Sequence, residues 1–168
     1  TRKSVRQNQA GLVYDLDLGG GQQLHARTYA GDRQVTQYLA IPLAAQGLPT
    51  ASGGVVDLDR GYEGAGLRWT RNSSAGARPL TVTAGVDYDR MAEHRKGYIN
   101  NFGIEGALKR DEQDNVSNTG VYAQAEWKFA PRWSTSAGLR YSSVRFSSTD
   151  YYITPTNPND SGAVNFSK

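Results

Sequence analysis

The chain contains no cysteine and no long apolar run. Without thiols, it can form neither disulfides nor zinc–thiolate sites. A membrane-spanning helix needs about 20 consecutive apolar residues, and the longest apolar runs here, such as residues 39–41, are far shorter. With 38% hydrophobic residues and a mean hydropathy of −0.62, helical membrane insertion is excluded. Insertion as a β-barrel is not excluded, because only alternate residues of a barrel strand need to be apolar.

The chain also lacks any long block of one charge. Its 19 basic and 16 acidic residues give a net charge of +3. No Lys/Arg run is long enough to act as a nucleic-acid arm, so no nucleic-acid partner is expected. The chain starts at Thr1 and shows no signal peptide, which suits a processed or cloned piece of a longer protein.

Period-two alternation of apolar and polar residues is abundant, and it is typical of half-buried β-strands. Six segments show it, at residues 12–18, 23–29, 64–70, 80–89, 121–129 and 133–142, and a seventh strand is expected to begin at 163–166. Short turns are predicted at 19–21, 72–77 and 130–132. Long, irregular connections are predicted at 41–55, 93–118 and 148–161.

Short and long connections therefore alternate along the predicted strands. Outer-membrane barrels show this arrangement, with short periplasmic turns and long extracellular loops. The pattern predicts an all-β fold, an antiparallel up-and-down meander of about six to eight strands. Residues 1–168 would form one partial domain, part of a larger transmembrane β-barrel.

Aromatic residues gather near the predicted short turns. This group contains Trp69, Trp127, Phe129 and Trp133. Barrels place aromatic girdles at the two membrane interfaces, so a second group is expected toward the other strand ends, formed by Tyr62, Tyr88 and Tyr141. The alternative is that these rings form the core of a soluble β-domain.

Several short motifs resemble the barrel strands of TonB-dependent receptors. The hairpin signature is GVYAQAEW at residues 120–127, followed by RW at 132–133 and AGLRY at 137–141. Further family-like stretches are AGVDY at 84–88, YEG at 62–64 with LR at 67–68, and RDE at 110–112. Each motif is short, but their order is that of the family, and the resemblance covers the chain from about residue 10 onward.

The resemblance implies a receptor-transporter of the bacterial outer membrane, surrounded by outer-membrane lipid. Its substrate would be a ferric siderophore or a similar metal chelate, and the TonB complex would energise uptake through parts of the protein not present here. The family's energy-coupling box and plug domain are absent, and the chain ends on Lys168 without the terminal aromatic residue. Plugged transporters have about 22 strands, so a mid-barrel segment that does not transport by itself is expected.

No catalytic, cofactor or metal signature accompanies these motifs. The two histidines, His25 and His94, have no spacing that indicates a mechanism. Asp15 and Asp17 share one strand face, which a solvated sheet also explains. The glycines at 19–21 lack the Lys-Ser/Thr of a phosphate loop. The chain is therefore not expected to be an enzyme, and neither a cofactor nor a bound metal is expected.

Ligand contacts are expected on the long connections and the upper lumen. Cations attract an anionic chelate, and aromatic rings pack on catecholate or aryl groups. The predicted residues are Arg90, His94, Arg95, Lys96, Tyr98 and Phe102 after the fourth strand, with Tyr151 and Tyr152 on the last connection. The alternative is a solvated, charged loop facing the lipopolysaccharide surface.

Two other functions stay open from the sequence. One is a small outer-membrane barrel with a structural role. The other is a soluble β-sheet binding module, in which Trp69, Trp127 and Trp133 would form a buried core or a sugar platform. An isolated barrel segment would expose two strand edges and an apolar wall, so it is expected to curl onto itself or to self-associate with a second copy.

Overall fold

The computed structural model describes residues 1–168 as one antiparallel sheet of seven strands. The strands are β1 (Arg2–Gly19), β2 (Gln22–Tyr38), β3 (Val55–Ala75), β4 (Arg78–Asn101), β5 (Ile104–Ala130), β6 (Trp133–Asp150) and β7 (Gly162–Ser167). Each strand pairs with its neighbours in sequence, in the order β1 to β7. The predicted all-β up-and-down meander is confirmed.

Short turns join the strands at one end of the sheet. The β1–β2 turn uses three glycines with positive φ, Gly19 at 77°, Gly20 at 61° and Gly21 at 74°. Such angles cost glycine little, because it has no Cβ. The β3–β4 turn has positive φ at Gly76 and Ala77, the combination that matches the twist of paired strands. These turns fall where the sequence predicts them.

The connection predicted as irregular at residues 93–118 is a continuous hairpin instead. Strands β4 and β5 pair up to Asn101 and Ile104, and only Phe102 and Gly103 form the turn. Both residues have positive φ, 51° and 95°. The prediction was wrong because both faces of these strand ends are polar, so the apolar–polar alternation disappears while the hydrogen-bonded ladder continues. Strand β1 likewise begins at Arg2, well before its alternating part.

Two longer connections lie at the same end as this hairpin tip, residues 39–54 and 151–161. The first contains a four-residue helix, α1 (Leu43–Gln46). No helix of the chain has the length and apolar character needed to cross a membrane. The buried side chain of Gln46 fixes this connection, since its Oε1 accepts from the Asn100 backbone N–H at 2.6 Å and its Nε2 donates to the Ile41 carbonyl at 2.6 Å.

The strand register sorts the side chains into two faces. On one face, Leu24 is opposite Trp69, and Trp69 is opposite Ala84. The row continues through Ala123 and Leu139. We call this side, which also carries Trp127 and Trp133, the tryptophan face, and the other side the polar face. The assignment of residues to faces made from sequence alternation is confirmed in β1 to β6.

Each strand is further divided along its length. The part near the short turns is called the turn half, and the part near residues 39–54, 102–103 and 151–161 is called the loop half. Only nine of the 168 residues are buried, and Val55 is the one fully buried apolar residue. It lies in the loop half, opposite Tyr38 and Tyr98. The turn half has no buried apolar core on either face.

The two edge strands, β1 and β7, lie at opposite ends of the sheet. The sheet is therefore not closed by their pairing, and the expectation that it curls onto itself is wrong for this structure. Self-association with a second copy stays a prediction. A buried tryptophan core is also wrong, since Trp127 is 40% and Trp133 is 68% exposed.

Candidate ligand-contact surface

The polar face of the turn half carries a compact charged cluster. Asp87 accepts from Arg27 Nη2 at 3.0 Å, and its other oxygen lies 3.7 Å from Arg140 Nη1. Arg27 belongs to β2 and Arg140 to β6, so Asp87 on β4 links strands on both sides of it. The guanidinium groups lie over Gly66 and Gly120, where a Cβ would collide with them. The absence of a side chain at these two glycines lets the arginine side chains lie close to the neighbouring strands.

Tyrosine rings lie on glycines in three places on the polar face. Tyr62 covers Gly31, Tyr29 covers Gly64 and Tyr122 covers Gly85, and a Cβ on any of these glycines would come within 2.6 Å of ring atoms. The aromatic-x-Gly motif at residues 62–64 thus reflects packing. Tyr62 was predicted for the second aromatic girdle, but it is out of phase with Trp69 and lies on the polar face.

The loop half of the polar face carries a second charged cluster, which we call the upper polar cluster. It consists of Arg33, Arg60, Glu93, Arg95, Arg110, Glu112, Asp114 and Asp150. Arg60 Nε donates to Glu93 at 2.6 Å, and Arg110 Nε donates to Glu112 at 2.7 Å. Arg95 Nη1 lies 3.8 Å from Glu112. Four cations and four acids face one another, so most of the charge is internally balanced.

Some groups of the upper polar cluster keep unused bonding capacity. The Nε atoms of Arg33 and Arg95 and one carboxylate oxygen of Asp150 are buried without a hydrogen-bond partner. Such buried groups are costly unless another molecule completes their bonding. Sequence reasoning missed Arg33, Arg60 and Arg110. Alternate residues of a strand share one face. Extending this alternation from Arg27 along β2 and from Arg68 along β3 would have placed Arg33 and Arg60 on the polar face.

The predicted cations after the fourth alternating segment do not form one cluster. Arg95 belongs to the polar face, whereas Arg90, His94 and Lys96 belong to the tryptophan face. Their neighbours on that face are acidic. Arg90 lies 3.7 Å from Glu63, His94 Nε2 lies 2.7 Å from Asp111, and Lys96 is opposite Asp57. Strand alternation separates these residues, although they are close in sequence.

The predicted aromatic residues occupy the loop-half rim. Phe102 is 95% exposed at the hairpin tip. Tyr151 is exposed and its backbone N–H donates to the Asp111 carbonyl at 2.8 Å, while Tyr152 is half-buried. Tyr98 is half-buried on the tryptophan face, where burial raises the pKa of its phenol and the nearby Glu105, Asp57 and Asp111 charges raise it further. No group of three or more His, Asp or Glu side chains is placed to hold a metal ion.

The tryptophan face of the turn half is an apolar wall between two aromatic belts. Near the turns, the Trp127 and Phe129 rings lie 5.8 Å apart, with Trp69 and Trp133 on the same face. The second belt contains Tyr88 and Tyr141. Trp133 and Tyr141 are separated by about 26 Å of strand at about 3.3 Å per residue. At a tilt of about 40°, this spans about 20 Å, close to the roughly 25 Å apolar band of membrane barrels.

Comparison with known proteins identifies the fold. Residues 1–167 match the family model described as TonB dependent receptor-like, beta-barrel. The chain superposes on the unliganded ferric citrate transporter FecA with a TM-score of 0.77 and 14% identity, covering 98% of this chain and 24% of FecA. It superposes on the ferric-catecholate import receptor Fiu of E. coli K12 in its open form with a TM-score of 0.67 and 12% identity, covering 99% of this chain and 31% of Fiu.

The chain thus spans about a quarter to a third of the length of these two receptors. Its seven-stranded meander matches their barrels, and TonB-dependent receptors are outer-membrane transporters, not enzymes. With the family model matching almost every residue, the chain belongs to the TonB-dependent receptors as part of their β-barrel domain.

Proposed function

We propose that this chain is a barrel segment of an outer-membrane receptor that imports ferric siderophores or similar metal chelates, energised through the TonB complex. The observation that carries the proposal is the family match over residues 1–167. Two structural relatives support the substrate class, since FecA is a ferric citrate transporter and Fiu is a ferric-catecholate import receptor. TonB would act through parts of the receptor outside this segment.

The two faces support an orientation in the membrane. The tryptophan face of the turn half has the apolar wall and the paired aromatic belts expected of a lipid-facing surface. The polar face would then line the barrel interior, where charged side chains meet water or a polar plug. The loop half would extend beyond the outer leaflet, and the upper polar cluster would then lie at the entrance for an external chelate.

The proposed chelate contacts combine cations and aromatic rings at this entrance. Arg33 and Arg95 are partly exposed cations of the upper polar cluster, and an anionic chelate would accept charge-assisted hydrogen bonds from their guanidinium groups. Phe102, Tyr151 and Tyr152 stand at the rim, where their rings would pack on aryl groups of a chelate. Arg90, His94, Lys96 and Tyr98 face the other way, so they would not contact the same bound molecule.

Transport by the full-length receptor tests the proposal directly. The receptor would be produced in a strain that lacks its own ferric-siderophore receptors, and uptake of radioactive iron as citrate and catecholate chelates would be measured. The proposal predicts uptake of at least one chelate that disappears when TonB is deleted. Absence of uptake across a panel of citrate, catecholate and hydroxamate chelates would contradict the substrate class, and TonB-independent uptake would contradict the energy source.

Adjacent cations on opposite faces give a matched test of the ligand surface. Arg95→Gln removes a cation from the upper polar cluster, and Lys96→Gln removes one from the tryptophan face. We expect Arg95→Gln to weaken binding of the imported chelate about three- to ten-fold, through loss of charge-assisted hydrogen bonds. Lys96→Gln should change the affinity less than about two-fold. Equal effects of the two variants would contradict the proposed contact face.

A further inference from the structure

A groove of about 280 Å³ opens on the tryptophan face of β4 to β7, just beyond the second aromatic belt. Two arginines flank it. Arg90 and Arg145 are the register partners of Ser117 from either side, and Arg145 is opposite Asn165 on β7. The two cations are thus held on one level of the sheet, two strands apart, with a serine between them.

The floor of the groove is made of small polar and apolar residues. Above the arginine level the groove is lined by Asn115, Ser147 and Ala163, and below it by Tyr88. None of these side chains is large enough to fill the space between the two guanidinium groups. Ser117, Asn115 and Asn165 add hydroxyl and amide donors to the lining. The groove can therefore accept a compact group that takes several hydrogen bonds.

The charge of the groove is positive and largely uncompensated. Arg145 is exposed and takes part in no ion pair or side-chain hydrogen bond. Arg90 has a loose contact with Glu63 at 3.7 Å, and both side chains are more than half exposed, so this pair is weak. Neither Glu63 nor any other carboxylate lines the groove. Asp111, farther along the face, is engaged by His94.

The groove lies just beyond the end of the apolar wall, and this position indicates which kind of anion it would meet. The last rows of the wall are Val86, Val121 and Tyr141, followed by Tyr88. Arg90 lies two residues beyond Tyr88 on the same strand and face. At the end of an apolar band of this height, membrane lipids present their headgroups, and arginines there interact with headgroup phosphates.

We propose that Arg90, Arg145, Ser117 and Asn165 form a binding site for a phosphate group of an outer-leaflet lipid. The inference rests on the membrane orientation proposed above. Arginine presents paired donors that match phosphate oxygens, and the small floor residues let both guanidinium groups approach one phosphate. The lipid chains would lie along the apolar wall below Tyr88. This site faces away from the upper polar cluster, so it is distinct from the proposed chelate entrance.

Lipid binding by the purified full-length receptor tests the site. The probe is lipid A, a glycolipid with two phosphates, incorporated into mixed detergent micelles, and the comparison probes are dephosphorylated lipid A and inorganic phosphate alone. The test variant is Arg90→Gln/Arg145→Gln. The matched control, Arg78→Gln/Arg132→Gln, removes two exposed arginines beside the short turns at the opposite end of the sheet. The heat-modifiable gel shift checks that each variant is a folded barrel.

The test variant should bind lipid A about ten-fold or more weakly than the unmodified receptor, while the control stays within about two-fold. Dephosphorylated lipid A should bind weakly to every form. Unchanged lipid A binding by the folded test variant would overturn the site. Inorganic phosphate that binds as tightly as lipid A would show a free-anion site and overturn the lipid assignment.

Chelate uptake measured on the same variants separates this inference from the proposed transport function. The test variant should import chelate normally, because neither arginine faces the barrel interior. If lipid binding follows the prediction but no chelate is imported by any form, the transport proposal fails while the lipid site stands. If uptake is normal and TonB-dependent but the test variant binds lipid A as tightly as the unmodified receptor, the lipid site alone fails.

Discussion

The turn half and the loop half of the same strands differ in how their two faces are built. In the turn half, one face is an apolar wall and the other carries Arg27, Asp87 and Arg140. In the loop half, both faces are charged, with Asp57, His94 and Lys96 on one and Arg60, Glu93 and Arg95 on the other. The backbone ladder runs through both halves of β4, and its pairing with β5 shifts register only between Gly97 and Asn100.

The difference shows that the two-faced pattern is a property of the environment and not of the strand. A sheet that is solvated on both sides needs no apolar face. Where the tryptophan face changes from apolar to charged, between Tyr88 and Arg90, the surrounding medium is expected to change from lipid to headgroups and water. We therefore expect the lipid-facing surface to end at this boundary, between Tyr88 and Arg90.

A charge placed on the tryptophan face should lower stability far more in the turn half than in the loop half. Ala84→Arg puts a cation in the middle of the apolar wall, and Ala92→Arg puts one on the same strand and face in the loop half. We expect Ala84→Arg to lower the free energy of unfolding in lipid vesicles by about 2–4 kcal/mol and Ala92→Arg by about 0–1 kcal/mol. Denaturant titration of the full-length receptor checks this. Equal tolerance of both variants would contradict a lipid-facing wall.

A methyl group under a tyrosine ring tests the packing of the polar face. Gly85→Ala would force the Tyr122 ring to move, because its Cβ would lie 2.6 Å from Cζ. We expect Gly85→Ala to lower the free energy of unfolding by about 1–3 kcal/mol. Gly61→Ala is the control, since no atom lies within 4 Å of its added Cβ. The double variant Gly85→Ala/Tyr122→Ala should lower the free energy of unfolding by less than the sum of the two single variants. Strictly additive effects would refute the contact.

The sequence predicts the turn half well because its physics is local. Alternation from Val121 to Phe129 requires only that one face meets an apolar medium, and the glycines at 19–21 require only a tight turn. The strand pairing, the face of each residue in these segments and the short turns all follow from such patterns. The family-like motifs lie mostly in this half.

The loop half could not be read in the same way. Residues 93–118 have polar side chains on both faces, so nothing in their periodicity distinguishes a ladder from an irregular loop. Arg90, His94, Arg95 and Lys96 looked like one basic patch because they are close in sequence, and only the strand register separates them. The Oε1 atom of Gln46 accepts from the backbone N–H of Asn100, a sequence separation that no local pattern encodes.

Removal of the Gln46 anchor should loosen one external connection without affecting the wall. Gln46→Ala leaves the Asn100 N–H without its side-chain acceptor, a local cost of about 1–3 kcal/mol. Hydrogen exchange across residues 39–54 should accelerate at least ten-fold, while β5 and β6 in the turn half keep their protection. Gln34→Ala, an exposed position on the tryptophan face, should leave exchange unchanged. Unchanged exchange in Gln46→Ala would show that the backbone bonds alone hold the connection.

The smallest expected effect concerns alkaline pH at Tyr98. Because its pKa is raised above 10.0 in the folded chain, its stabilising contribution is complete below pH 10 and is lost as the pH rises through the folded pKa. The difference in phenolate absorbance between the unmodified receptor and Tyr98→Phe should therefore titrate above pH 10. If the phenolate absorbance that Tyr98→Phe lacks titrates at or below pH 10, burial of this ring is contradicted.

Depth profiling along β4 tests the proposed boundary most directly. The segment has no cysteine, so single cysteines at positions 80 to 98 can carry a nitroxide in a receptor otherwise free of cysteine, reconstituted in bilayers. Collision with oxygen, which concentrates in lipid, would be compared with collision with a water-soluble nickel complex. We expect lipid exposure at even positions from 80 to 88 and water exposure at positions 92, 94 and 96. Lipid exposure that continues through 96, or no alternation between 80 and 88, would contradict it.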